Sequence, residues 1–488
     1  MDRRFVFTMA LFPVLALAAG DATKPVALGA RRELFVDDFL IDGLRGDARL
    51  VLHSPRVAEK VIAFDRPWEG VTSGYAVVWR EEGERFRMYY RGASQSGYTI
   101  TSMLRPGESV IPEHPVTTCY AESGDGIHWT KPSLALFDFK GSKENNIVWM
   151  GEGSENFSPF PDGNPRAPDS ERYKAVASDR VGDTPVLAGF VSADGLHWKR
   201  LRPEPLLTDG KFDSLNVVFW DPLRERYVAV YRDFTAGVRT IKYAESKDFR
   251  TWSAGQWGDF GTAPMEHLYT NATVPYFRAP QIYLAFPRRF LPWRNFYPDA
   301  PSPGASDGVF MSSRDGLHWD RRFLESFIRP GGDPRNWVQR ANTPARGLVQ
   351  TGPDEISLYV ERNRVFPTNY LERLVLRTDG FVSVHAGLAG GELVTKPFTF
   401  QGSQLMLNYA TSAAGSIQLE VQDARGHALP GFALEESPLI WGDQIDGGVS
   451  WRKPNSRTDP EPLKRLAGLP VRLRFVLKDA DLYALQFR

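Results

Sequence analysis

The chain is expected to be all-β: a five-bladed β-propeller followed by a C-terminal β-sandwich. Three observations predict this. A short pattern, Ser-x-Asp-Gly-x-His-Trp, recurs along much of the chain. Strand-like runs flank each copy, with a second hairpin-like pair upstream. Aromatic residues make up 12% of the chain, with 43 glycines and 36 prolines, a composition that favours short strands and frequent turns.

The N-terminus is expected to be a signal peptide over residues 1–20. Arg3 and Arg4 precede an apolar run from Phe5 to Leu17, and Ala18-Ala19-Gly20 supplies small residues for cleavage. This run is too short to span a bilayer comfortably, and no later segment is apolar enough to do so. Cys119 is the single cysteine, which excludes an internal disulfide and a thiolate zinc cluster. Export without disulfides predicts a secreted or periplasmic bacterial protein. Positive and negative side chains balance at 59 each, so there is no electrostatic case for nucleic acid or an anionic membrane.

The repeat organises residues 21–390. Full copies are Ser123-Gly-Asp125-Gly126-Ile-His128-Trp129, Ser192-Ala-Asp194-Gly195-Leu-His197-Trp198 and Ser313-Arg-Asp315-Gly316-Leu-His318-Trp319. Degenerate copies are Ser246-Lys-Asp248-Phe249-Arg-Thr-Trp252 and Arg377-Thr-Asp379-Gly380-Phe381. A period of this kind signals a repeat array. Asp-Gly makes a tight turn, because glycine takes positive φ without a Cβ penalty and the carboxylate caps the turn. Each copy therefore joins the third and fourth strands of a blade. The first two strands lie upstream, as in Tyr75–Trp79 with Arg85–Tyr90 and Asn216–Trp220 with Arg226–Tyr231. Further pairs are Thr273–Phe277 with Gln281–Phe286 and Ala345–Val349 with Glu355–Val360. The blades fall near 60–135, 145–205, 210–258, 264–328 and 337–388, with Leu34-Phe-Val36 closing or capping the ring. The histidines repeat with the architecture and are expected as turn residues beside the tryptophans.

Beyond 390 the pattern stops. Alternating runs at Pro397–Phe400, Gln404–Asn408, Ser416–Val421 and Val471–Val476 predict a sandwich over 391–488.

Several segments carry a likeness to known proteins: Leu34-Phe-Val-Asp-Asp38, Asp65-Arg-Pro-Trp-Glu-Gly70, Arg87-Met-Tyr-Tyr-Arg91, Pro287-Arg-Arg-Phe290, Asp479-Ala-Asp-Leu-Tyr483 and the Asp-Gly-x-His-Trp copies. On these the chain resembles the five-bladed glycosidase superfamily of invertases, arabinanases and β-xylosidases, and within it a group of exported glycosyl-hydrolase-like bacterial proteins. The resemblance implies three acidic residues in a funnel at the propeller axis. The invertase-type Asn-Asp-Pro-Asn, Arg-Asp-Pro and Glu-Cys motifs are absent, so no catalytic residue carries over by motif.

Candidates are therefore chosen by position, from polar residues just before each innermost strand. These are Asp65 and Glu69, Asp162 and Asn164, Asp213 and Asn216, then Glu266, His267, Tyr269 and Asn271, and finally Arg340 and Asn342. Hydrolysis of a glycoside needs two carboxyls, one protonated and one ionised. Glu266 is the candidate general acid, Asp213 the orienting or pKa-modulating carboxylate, and Glu69 the base or nucleophile, with Asp65 and Asp162 as substitutes. Arg340, Arg288 and Arg289 suit a carboxylate or sulfate on a sugar. Tyr269 and Trp68 suit stacking on a sugar ring.

The expected function is hydrolysis of plant or algal poly- or oligosaccharide. The alternative is a non-catalytic sugar-binding propeller, which the missing motifs favour. A sialidase ranks lower, because its aspartate box is one residue longer. A polysaccharide lyase would use Tyr269 or His267 as base. No cofactor is expected, no spacing demands a metal, and the oligomeric state is not encoded legibly.

Overall fold

The computed structural model describes residues 24–81, 83, 85–451 and 462–488. The signal peptide expected at 1–20 lies outside the described residues. Strands and short 3-10 turns make up the regular structure of the described residues, with no α-helix. No described helix is long and apolar enough to cross a membrane.

Five antiparallel sheets, here I to V, follow one another along the chain. Sheet I contains Gly74–Arg80, Phe86–Gly92 and Thr117–Ser123, and its outer position is shared by Trp129–Thr130 and Ile147–Met150. Ile147–Met150 was expected at the start of the second repeat, but it pairs back onto Thr117–Ser123. Sheet II is Ser158–Pro161, Tyr173–Val181, Thr184–Ser192 and Lys199–Arg200. Sheet III is Val217–Asp221, Arg226–Thr235, Val238–Ser246 and Gln256–Trp257. Sheet IV is Val274–Tyr276, Ala279–Ala285, Met311–Ser313 and Trp319–Asp320, prolonged by a three-stranded sheet of His267–Leu268, Arg288–Leu291 and Ala305–Gly308. Sheet V is Val349–Gly352, Glu355–Arg362 and Tyr370–Arg377, and Arg56–Ala63 completes it. A strand from before sheet I thus forms the outer edge of the last sheet. Leu34-Phe35-Val36, expected in that role, lies elsewhere.

Each pair of neighbouring sheets shares an apolar core. Tyr75, Val77 and Tyr89 meet Ala175, Phe190 and Trp198 between sheets I and II. Phe160 and Val176 meet Val218, Trp220 and Tyr227 between II and III. Val217, Phe219 and Tyr243 meet Tyr283 and Met311 between III and IV. Tyr276 and Phe286 meet Ile356, Leu358 and Phe381 between IV and V. Tyr359 and Ile62 meet Val78 and Met88 between V and I. Burial on both faces explains why central strands such as Phe86–Gly92 have no exposed residue.

The Asp-Gly copies staple one sheet to the previous one. Ser123 Oγ accepts from the Asp125 and Gly126 amides, and Asp125 Oδ1 accepts from the Ile127 and His128 amides. The Trp129 indole donates to the Gly126 carbonyl. The same bonds recur around Asp194 and Asp315. Each turn then presents carbonyls to the preceding sheet. Tyr89 of sheet I donates to Gly195 at 2.8 Å, Arg224 of sheet III to Asp315 at 2.7 Å, and Tyr359 of sheet V to Gly126 at 2.5 Å. The histidines are exposed turn residues whose Nδ1 atoms lie 2.6–2.7 Å from Asp125, Asp194 and Asp315.

A ten-stranded sheet holds the C-terminal segment. Its two long strands, Leu405–Asp423 and Val471–Phe487, pair antiparallel along most of their length, with register breaks around Asn408 and between Thr411 and Ser416. The runs expected as separate strands at 404–408 and 416–421 are thus one bent strand. This sheet also takes in Val26–Gly29, Glu33–Leu34, Ile41–Gly46, Arg49–Leu52 and Val382–Ala386. The division expected at 390 is therefore redrawn, because 26–52 belongs with the C-terminal strands. The physical reason is apolar partnership: Leu28, Phe35, Leu40 and Ile41 bury against Leu393, Phe398, Leu405 and Phe487. Leu34 and Val36 face the other way and join the core shared by sheets IV and V.

Candidate functional site

The innermost strands converge on Arg346. Its amide donates to Ala76 and its carbonyl accepts from Val78, binding the strand of sheet V to that of sheet I. Its guanidinium reaches the carbonyls of Pro159 in sheet II and Val218 in sheet III. Gly347 permits this approach, since a Cβ there would lie 2.0 Å from the Val78 carbonyl oxygen. Arg346 makes no ion pair among the described residues, and burial lowers its guanidinium to about 10. It ties the entry segment of sheet V to sheets I, II and III.

The mouth lies where the chain enters the innermost strands, and there the second strand of each sheet ends. On the side of sheets I and V, Tyr75 takes a positive φ of 51° at the start of its strand. Its amide donates to Glu361, whose carboxylate fills the space a Cβ at Gly74 would need. Glu361 is also paired with Arg364 at 2.8 Å. Arg91 and Arg364 stand 4.8 and 5.1 Å from the Tyr75 ring centre. On the side of sheets III and IV, Arg288, Arg239 and Arg232 stand 4.0, 4.7 and 4.8 Å from the Tyr269 ring centre.

Arg340 connects the two sides. Burial alone would lower its guanidinium, but Tyr75, Tyr269 and Tyr98 outweigh that and raise it. Its guanidinium sits 4.0 Å from the Tyr98 ring centre. Several mouth guanidinium nitrogens have no hydrogen-bond partner among the described residues: Nε and Nη2 of both Arg288 and Arg364, and Nε of Arg91 and Arg239. Buried cationic donors of this kind are suited to oxyanions. Burial alone would raise the Tyr269 phenol. Arg288, with Arg232 and Arg340, overrides burial and an opposing push from Asp213, and holds the phenol below the ordinary tyrosine range.

Besides the buried Glu361, two exposed carboxylates border the mouth. Asp213, 70% exposed, has Arg232 at 4.0 Å. Glu155, 46% exposed, has Arg91 at 3.6 Å. Both line one cavity of about 650 Å³, with Glu152, Asp179 and Arg180 on its rim.

Of the residues expected from sequence, Asp213, Tyr269, Arg288 and Arg340 meet at this mouth. His267 stands beside it, with Nδ1 3.2 Å from the Arg239 amide, and its imidazole is lowered by burial and then by Arg239. Asn216, Asn271 and Asn342 are at the expected positions but bind backbone. Their amides donate to Phe212 and Ser214, to Val230, and to Ser306 and Asn336 respectively.

The remaining acids are corrected. Glu69 is fully buried between Lys131 at 2.7 Å and Tyr90 at 2.6 Å. Asp65 is an exposed partner of the same Lys131. Asp162 is buried against Lys174 at 2.6 Å and Tyr227 at 2.8 Å, and Asn164 donates to that Tyr227. Trp68 donates to Asn146 and packs edge-on against Phe139. Glu266 is gripped by Arg321 at 2.6 Å and Arg289 at 3.4 Å, so its oxygens are occupied by cations, contrary to the needs of a general acid. Arg289 is itself engaged by Asp307 at 2.7 Å.

Tyr75, Arg91, Glu155, Arg239, Glu361 and Arg364 were not anticipated. One signal was available: arginine recurs near the end of a sheet's second strand, at Arg91 and Arg232, and just beyond it at Arg288 and Arg364. Among the described residues, no group of three or more His, Cys, Asp or Glu is placed to hold a metal ion.

No protein-family model matches the chain, and no curated protein matches it. Solved structures do. A glycoside hydrolase is similar at 12% identity and a TM-score of 0.44, covering 66% of this chain and 92% of its own. An N-acetylgalactosamine deacetylase from F. plautii is similar at 11% identity and 0.44, covering 68% and 96%. A fructofuranosidase from Schwanniomyces occidentalis is similar at 11% identity and 0.38, covering 89% and 96%.

Proposed function

We propose that sheets I to V are the blades of a five-bladed β-propeller backed by a β-sandwich, and that the chain is an exported glycoside hydrolase acting on an anionic saccharide at the axis mouth. The observation that carries this reading is the pairing of two exposed carboxylates, Asp213 and Glu155, in one cavity, each approached by an arginine of the mouth, Arg232 at 4.0 Å and Arg91 at 3.6 Å. Glycoside hydrolysis needs two carboxyl groups, one to protonate the leaving oxygen and one to act as base or nucleophile. Glu155, with Arg91 at 3.6 Å, is assigned one of these two roles. Asp213, with Arg232 at 4.0 Å, is assigned the other. The surrounding guanidiniums hold a carboxylate or sulfate of the sugar.

A second reading is favoured by Tyr269. A phenol held low among arginines is equipped for β-elimination on a uronate. Tyr269 as phenolate would take the C5 proton, the C4–C5 double bond would form as the C4–O bond breaks, and the resulting phenol would return the proton to the leaving oxygen while an arginine neutralises the carboxylate.

One incubation separates the readings. The protein lacking residues 1–20 is mixed with neutral, uronate and sulfated oligosaccharides, beside Asp213→Asn and Tyr269→Phe. New reducing ends without ultraviolet-absorbing unsaturated ends, lost by about 100-fold in Asp213→Asn, support hydrolysis. Unsaturated ends lost in Tyr269→Phe support elimination. Binding without any cleavage supports a sugar-binding propeller.

A further inference from the structure

Between sheets IV and V, on the same face as the mouth, lies a cavity of about 780 Å³. Leu291, Arg294, Phe296, Asp307, Arg329 and Trp337 are among the residues that line it. Phe296 and Trp337 stack with ring centres 6.2 Å apart and planes 27° apart, yet they remain 54% and 40% exposed. Large aromatic surface left in contact with water is costly, and a paired, exposed platform marks a binding surface. The Trp337 indole is fixed by a 3.0 Å bond to the Gly331 carbonyl. The charge in the cavity is one-sided. Asp307 is neutralised by Arg289, whereas Arg294 and Arg329 form no ion pair among the described residues.

The cavity wall continues into the mouth. Ser306 donates to the Gln339 carbonyl, and the Gln339 side chain accepts from Arg340 Nε at 3.1 Å. We infer that this cavity is a distal saccharide subsite. It takes a further unit of an anionic oligosaccharide whose first unit occupies the mouth, the sugar's C–H face on Phe296 and Trp337 and its anionic group toward Arg294 and Arg329. The inference rests on the proposed reading of the mouth as a saccharide site. It adds that the protein selects chains over single units. The volume is within the range of ligand pockets.

The test is calorimetric binding of an oligogalacturonate ladder and a neutral xylo-oligosaccharide ladder to the full protein, with Trp337→Ala, Trp337→Phe and Arg288→Ala. The uronate ladder should show a gain of roughly tenfold in affinity once the chain is long enough to reach the cavity. Trp337→Ala should lose that gain while keeping the affinity for the shortest bound rung. Trp337→Phe should restore most of the gain. Arg288→Ala should weaken every rung, which reports on the mouth separately. Retention of the gain in Trp337→Ala overturns the subsite, as does binding of short rungs by the parent with no gain for longer ones. An equal gain on the neutral ladder overturns its anionic preference. No binding of any rung removes the reading of the mouth, and the subsite with it.

Discussion

The guanidinium carbon of Arg288 lies 4.0 Å from the centre of the Tyr269 ring, and two further arginines, Arg239 and Arg232, lie within 5 Å of that centre. Arg288 is fully buried, and its Nη1 is committed to Thr343 at 2.7 Å while Nε and Nη2 have no hydrogen-bond partner among the described residues. A cation held this firmly biases its neighbour toward the phenolate.

Ultraviolet titration of the folded protein should therefore reveal a phenol that ionises below the ordinary tyrosine range and is absent in Tyr269→Phe. Most buried tyrosines move the other way. Tyr89, Tyr90, Tyr227, Tyr231 and Tyr283 are all raised, chiefly by burial. Arg288→Met removes the largest favourable charge, so the transition should move to higher pH. A low-pH phenol unchanged in Arg288→Met would show that Arg288 is not its cause.

Glu69 is a framework carboxylate, and its partners make this testable. Lys131→Met leaves it buried without its cation, at a cost of about 3–5 kcal/mol. The urea midpoint should fall accordingly, while turnover per folded molecule should not change. Loss of turnover at unchanged stability would return Glu69 to the catalytic set.

The contrast between Glu69 and Asp213 shows how much of the site was legible. Both acids precede a strand, and nothing local distinguishes them. What separates them is the partner: Lys131, 62 positions downstream, bends in to claim Glu69, whereas Arg232 stays 4.0 Å from Asp213. Asp162 and Lys174 repeat the lesson. The Asp-Gly turns were legible because their bonds close within four residues, from Ser123 to Gly126 and from Asp125 to His128. Arg56–Ala63 was not, because its partner Tyr370–Arg377 lies at the other end of the array and its charged edge pattern suits any solvent-facing strand. Tyr75 looked like an ordinary apolar strand residue. Only its positive φ and the carboxylate of Glu361 turn its ring into the mouth.

The junction between the array and the C-terminal sheet should be sensitive to one cation. Asp379 is fully buried in the last Asp-Gly turn, with Arg32 at 2.9 Å, Arg278 at 3.0 Å and the Tyr276 hydroxyl at 2.6 Å. Arg32 also reaches Asp446 and Gln486, tying the N-terminal segment to the far strands. Arg32→Met leaves Arg278 facing Asp379, so the denaturation midpoint should fall, by less than the roughly 3–5 kcal/mol of a buried charge left wholly unpaired. Arg32→Met with Asp379→Asn should recover part of that loss, because a buried carboxylate that has lost one of its two cations is gone. No recovery in the double variant would mean that the packing of Arg32, not its charge, holds the junction.

The Asp-Gly turns should make stability weakly dependent on pH through His318. Its imidazole is raised above the ordinary value by the bond to Asp315 and by that residue's charge. A group whose folded pKa exceeds its unfolded value stabilises most at pH below the unfolded value, about 6.5, and this contribution fades as pH rises through the folded value. The Tm difference between the parent and His318→Gln should therefore be larger near pH 5 than near pH 8. His318 is 66% exposed, so solvent screens the pair and the difference should be small. The comparison variant is Thr251→His, which would place a histidine in the copy where Thr251 now donates to Asp248. It should create the same acid-side stabilisation in sheet III. A His318→Gln difference that grows toward alkaline pH would reverse the sign and remove the ion pair as its source.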